Sequence, residues 1–179
     1  WIQHPNPEKI LANAENRLRD YEKRFSANDK NSDLMKISAQ AGKAPVRVDK
    51  DLFELIKLGK MHSIPDDSSL NITIGPLIQL WRIGFEDAQR PSEREIQEKL
   101  QLIRPQQIVL DEDNSTVFLQ QSGMAIDLGA LAKGYFADQI LAYFISEGVL
   151  SAIIDLGGNV LTYGEAPHHG DGYWRIGIQ

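Results

Sequence analysis

MAIDLGALAKGY, from Met124 to Tyr135, is the stretch on which the reading of this chain turns. Its periodicity changes midway. Met124-Ala125-Ile126 is short and apolar and reads as a strand that delivers Asp127, Leu128-Gly129 turns, and a helix begins at once. From Ala130 to Glu147 the apolar positions Leu131, Tyr135, Ile140, Leu141, Phe144 and Ile145 recur at helical spacing, and Gly148 is placed to stop the helix. Downstream, Ala152-Ile153-Ile154 reads as a buried strand running into Asp155-Leu156-Gly157-Gly158-Asn159, with Val160–Tyr163 beyond. Paired glycines inside a strand pattern mark a bulge or a place where a ligand or another strand approaches the backbone. Tyr173–Ile178 alternates and is expected to be a last strand, ending at Gln179.

Upstream of that stretch the same rules give mostly helices. Pro7 to Phe25 places Ile10, Leu11, Ala14, Leu18, Tyr21 and Phe25 at helical spacing behind a first-turn proline. Ser32 reads as the cap of a short turn holding Leu34, Met35 and Ile37. Val46-Arg47-Val48 is extended, ahead of a helix capped near Asp49 with Leu52, Phe53, Ile56 and Met61 on its apolar face. Asn71–Pro76 is expected to be extended, because its residues are β-branched and Gly75-Pro76 ends it. Ser92-x-x-Glu95 is a capping box that opens a helix to about Leu102. Ile108–Leu110 and Thr116–Leu119 flank Asp111–Asn114 as a hairpin. Helices and antiparallel pairs are interspersed without a regular βαβ series, so the fold class is α+β, expected as one domain over 1–179.

Composition narrows the functions. The 179 residues are 42% hydrophobic and 25% charged, which is ordinary globular usage. A net charge of −6 speaks against a groove that tracks nucleic-acid phosphates. No apolar run reaches the ~18 residues of a membrane span. With no cysteine there is no thiolate catalysis and no cysteine-ligated metal.

The chemistry is expected around Asp127. A helix amino end presents free N–H groups and partial positive charge, which suits a phosphate, and Lys133 in the first turns adds a point charge. The same residues also read as a plain capping carboxylate and a solvated lysine. Trp81 is expected in the core. His168-His169 near Asp171 reads as an exposed loop rather than a metal site, and Asp66-Asp67 and Asp111–Asp113 as solvated turns.

Taken together, four blocks, FSANDKNSDLMKIS, NITIGPLIQLWRIGF, IDLGALAKGYFADQI and SAIIDLGGNVLTYG, resemble the ApbE family of flavin transferases in order and spacing. The resemblance implies an α+β fold related to the T-fold. It implies an enzyme that binds FAD and, with Mg2+, moves the FMN portion onto a Thr or Ser hydroxyl of a flavin-carrying redox protein, releasing AMP. Two alternatives remain: an FAD pyrophosphatase giving FMN and AMP, and a non-catalytic flavin binder. Residue by residue, Asp127 and Lys133 fall on nucleotide-contacting positions, and Leu70-Asn71-Ile72 on a further nucleotide-contacting segment. Asn28 falls on a wall of the flavin site, where many relatives carry an aromatic, and Ala130 on a position whose main-chain oxygen helps hold the metal. Relatives usually read Phe-Asp where this chain has Leu70-Asn71. The resemblance also implies an extracytoplasmic bacterial protein tethered by a lipid outside this chain. The family's remaining metal ligands lie in a C-terminal block that does not occur here, so the chain is expected to be incomplete at both ends and inactive alone.

Overall fold

The structure is a computed structural model that describes residues 1–65 and 67–178. Asp66 and Gln179 lie outside the described residues. In chain order the elements are β1 (Ile2–Gln3), α1 (Pro7–Phe25), α2 (Asp33–Ala39), β2 (Val46–Arg47) and α3 (Lys50–Ser63). A 3-10 turn (Ile72–Ile74) leads into α4 (Gly75–Trp81), followed by α5 (Glu93–Leu100), a second 3-10 turn (Pro105–Gln107), β3 (Ile108–Asp111) and β4 (Thr116–Leu119). α6 (Gly129–Ser146), β5 (Ser151–Leu156) and β6 (Asn159–Tyr163) complete the described elements. They fall into two compact units, Glu22–Ala132 and a second formed by Trp1–Tyr21 with the chain from Lys133 onward.

The Glu22–Ala132 unit carries a three-stranded antiparallel sheet ordered β2-β4-β3, with Val46 opposite Val117 and Leu110 opposite Val117 on its other side. Its core is aliphatic: Leu34 and Ile37 from α2, Leu52, Leu55 and Ile56 from α3, and Ile108 and Leu119 from the hairpin are all essentially sealed. Each such side chain contributes roughly 1.5–3 kcal/mol through burial. The α2 cap is Ser32, whose hydroxyl accepts from Met35 N at 3.0 Å and donates to Ser26 O at 2.6 Å. α5 carries the full capping box. The Ser92 hydroxyl and main-chain N–H hold the Glu95 carboxyl below the usual glutamate range.

The other unit has the sheet β1-β5-β6, all antiparallel, covered by Ile10 and Ala14 of α1 and Ala137, Ile140, Tyr143 and Phe144 of α6. The paired glycines are the two-residue turn of the β5–β6 hairpin. Gly157 and Gly158 have φ of +60° and +88°, the two positive values that a type I′ turn requires.

Several expectations are corrected. Asn71–Pro76 is not a strand but a 3-10 turn flowing into α4, because Pro76 sits in the first turn of a helix, where its missing N–H costs nothing. Met124–Asp127 makes no ladder, since its N–H at Asp127 goes to the Ile72 carbonyl (2.8 Å) instead of a strand edge. Tyr173–Ile178 also pairs with no strand and is largely exposed, with Ile178 at 97%. Alternation makes a strand only where an edge is at hand. α5 stops at Leu100, Met61 and Ile145 are exposed, and Trp81 is half-buried and not core. Among the described residues no helix is long and apolar enough to cross a membrane.

Candidate functional site

Asp127 is placed by a relay of buried hydrogen bonds that starts in α3. In the last turn of that helix the Ser63 hydroxyl donates to Gly59 O (2.6 Å) and accepts from Ile72 N (3.0 Å). The carbonyl of Ile72 then accepts from Asp127 N at 2.8 Å. Gly59 is the contact point, since a Cβ there would lie 2.7 Å from Ile72 Cγ2. Asn71 caps the 3-10 turn, its Oδ1 accepting from Thr73 N (3.0 Å) and Thr73 Oγ1 (2.7 Å). The Leu70–Ile72 segment thus holds Asp127 in position. Its residues are not among those lining the cavity described next.

Asp127 itself is half-buried, and its Oδ1 accepts from Gly129 N at 2.8 Å. This is an Asx turn that feeds the chain into α6. Its second carboxylate oxygen accepts no hydrogen bond among the described residues.

That carboxylate lies on a cavity of about 310 Å³ in the Glu22–Ala132 unit, near the small end of ligand sites. Ala27, Asn28, Lys30 and Met35 line one part; Gly75, Ile78, Gln79, Arg82 and Phe85 line another; Ile126 and Asp127 complete it. All eleven belong to the first three of the four sequence blocks. The wall is mixed: apolar surface for a planar ring, two cations and one carboxylate. α4 approaches this wall as closely as backbone permits, for a Cβ on Gly75 would sit 2.8 Å from Ala125 O.

The structure therefore brings Asn28 and Asp127 to one cavity. Ala130 is exposed in the first turn of α6. Lys133 belongs to the other unit, where its exposed Nζ is 3.4 Å from Gly157 O. No group of three His, Asp or Glu suited to a metal occurs among the described residues, the His168-His169 loop included. A lone carboxylate and a main-chain carbonyl fit a magnesium ion only if substrate phosphates and water supply most of its oxygen shell.

Sequence reasoning missed the α4 contribution. Gly75, Ile78 and Gln79 follow the i, i+3, i+4 pattern of one helix face, with Arg82 at its C-cap, a signal hidden by reading Gly-Pro as a turn. Arg82 closes α4 in a left-handed conformation (φ 49°, ψ 38°), with its Cζ 4.7 Å over the Phe85 ring and its Nε 2.6 Å from Asp87 Oδ2. That contact holds the Asp87 carboxyl below its ordinary range, outweighing the opposing desolvation.

The ApbE family model matches residues 2–179. The chain belongs to the ApbE family. Among curated ApbE relatives, the protein of Klebsiella pneumoniae (strain 342) named FAD:protein FMN transferase is 44% identical over 162 residues, 90% of this chain and 49% of the relative. That of Treponema pallidum (strain Nichols), with the same name, is 37% identical over 152 residues, 82% of this chain and 42% of the relative. Among solved ApbE structures, the Thermotoga maritima protein superposes with a TM-score of 0.87 at 28% identity, covering 99% of this chain and 57% of that one. The apo flavinyl transferase of Pseudomonas stutzeri gives 0.84 at 25%, covering 97% and 55%. The chain spans about half the length of the curated ApbE relatives it matches. The α+β ApbE fold expected from the sequence is the fold observed.

Proposed function

We propose that the protein to which this chain belongs is an FAD:protein FMN transferase. The observation that carries the reading is the cavity built wholly from three blocks of an ApbE chain, together with 44% identity to a relative of that name. In the reaction, a Thr or Ser hydroxyl oxygen of the acceptor attacks the phosphorus that bears riboflavin. A new P–O bond forms, the bond from that phosphorus to the bridging oxygen breaks, AMP departs with that oxygen, and the hydroxyl proton passes to water.

Such a transfer is mainly a matter of holding the reactants in line and offsetting charge. The apolar side chains Met35, Ile78, Phe85 and Ile126 offer surface for the flavin ring, and Asn28 and Gln79 offer hydrogen bonds to its polar edge. Asp127, fixed by Ile72 and Gly129, supplies a carboxylate at the nucleotide. Lys133 is assigned to the nucleotide phosphates and the Ala130 carbonyl to Mg2+. When bound, that ion would neutralise diphosphate charge. A lipid-tethered, extracytoplasmic location and a flavin-carrying redox protein as acceptor belong to the same proposal. So does one ApbE-like domain over 1–179.

Incubating the full-length protein with FAD, Mg2+ and an acceptor peptide carrying Thr tests it. Covalent flavin on the peptide with stoichiometric AMP is expected. Free FMN and AMP without the adduct would make the protein a pyrophosphatase, and unchanged bound FAD a binder.

A further inference from the structure

We propose that Arg82 is the group through which the cavity recognises phosphate, so that the cavity takes a phosphorylated flavin in preference to riboflavin. This rests on the flavin reading above. Arg82 stands where the backbone is left-handed, φ 49°, at the end of α4. Glycine holds that conformation without a Cβ penalty, and helices commonly end on it for that reason. A bulky side chain there persists when its surroundings over-determine it, and such residues gather at binding sites.

The surroundings do over-determine it. Arg82 N donates to Ile78 O (2.9 Å), Phe85 N to Arg82 O (3.1 Å), and Gln89 N closes the loop on Trp81 O (3.2 Å). Phe85 lies under the guanidinium, and the Asp87 carboxylate stands 2.6 Å from Nε. The Nε atom is closed to solvent and its N–H is not aligned on that carboxylate, so the contact is an ion pair and not a linear hydrogen bond. An ion pair this exposed, 43% and 65%, adds little to stability, and the strained backbone subtracts from it. What the arrangement does provide is orientation. The guanidinium is pinned along one edge and one face, and among the described residues neither terminal nitrogen has a bonded acceptor. A pre-oriented planar fork of N–H donors on a cavity wall, with Lys30 on the same cavity, matches the oxygens of a phosphate.

The test compares FMN and riboflavin binding by flavin fluorescence at fixed ionic strength, in the full-length protein and its R82G and R82K variants. R82G is expected to melt no lower than the parent, because glycine relieves the left-handed residue. It should bind FMN on the order of tenfold more weakly while holding riboflavin within about twofold. R82K, which keeps the charge without the fork, should fall between. Equal losses for both flavins would mark a structural role and overturn the inference, as would an unchanged FMN affinity. Failure of the parent protein to bind either FMN or FAD would overturn the flavin reading and this inference with it.

Discussion

Gly75→Ala lowers the melting temperature by roughly 4–8 °C and, in the full-length protein, weakens the proposed flavin binding. Helix propensity alone argues the reverse, since alanine inside a helix is favoured over glycine by about 1 kcal/mol. Gly75 has ordinary helical dihedrals (φ −46°, ψ −43°), so no backbone strain opposes the change. The opposition comes from Ala125. The new methyl would lie 2.8 Å from its carbonyl oxygen, 2.9 Å from its carbonyl carbon and 2.9 Å from its Cβ. Two of those three atoms are backbone and cannot swing away. Overpacking of this kind costs about 1–3 kcal/mol, and with immovable neighbours the upper end applies, leaving a net loss near 2 kcal/mol. The same clash pushes the α4 wall away from Ile126 and Asp127, which opens the cavity. Gly134→Ala is the control. It lies within α6 with nothing inside 4 Å of a new Cβ, so there propensity acts unopposed and stability should rise slightly. Thermal melts of both variants check the pair. A Gly75→Ala protein as stable as its parent would show that α4 does not touch Ala125.

In the full-length protein, Asp127→Asn is expected to slow the proposed FMN transfer by about a hundredfold while leaving the fold intact. The asparagine side chain keeps an oxygen that accepts from Gly129 N, so the turn into α6 survives and the melting temperature should move by no more than about 0.5 kcal/mol would dictate. What disappears is the negative charge on the cavity wall. Asp127→Ala removes both, and should add a stability loss of about 0.5–2 kcal/mol to the same kinetic defect. Measuring rate and melting temperature on the two variants separates the carboxylate's structural hydrogen bond from its chemistry. If Asn transferred FMN at the parent rate, Asp127 would be a capping residue and nothing more.

The sequence was legible where one periodicity ran long enough to dominate. α1 and α3 repeat an apolar stripe over 19 and 14 residues, α6 is apolar over most of its 18 residues, and α5 announces itself through Ser92 and Glu95. Illegible were the places where local preference and tertiary context disagree. Ile72, Thr73 and Ile74 are β-branched and favour extension, yet the chain coils there because the Ser63 hydroxyl captures Ile72 N and Asp127 N captures Ile72 O. Tyr173–Ile178 has the alternation of a strand but no ladder, so its pattern has no structural consequence among the described residues. For the site, the motif at Asp127 and the position of Asn28 were visible as sequence. The share of α4 was not, because a seven-residue helix begun by Gly-Pro carries too few turns to show a stripe. The roles of Arg82 and Phe85 are therefore evident only in the folded chain.

On the proposed reading, flavin sits in the space between Asn28, α4 and Asp127. A crystal structure of the full-length protein with FAD tests it most directly. Flavin density against Met35, Ile78 and Phe85, with a phosphate oxygen within hydrogen-bonding distance of Arg82, is the result expected. FAD bound elsewhere, with this cavity filled only by water, would overturn that assignment.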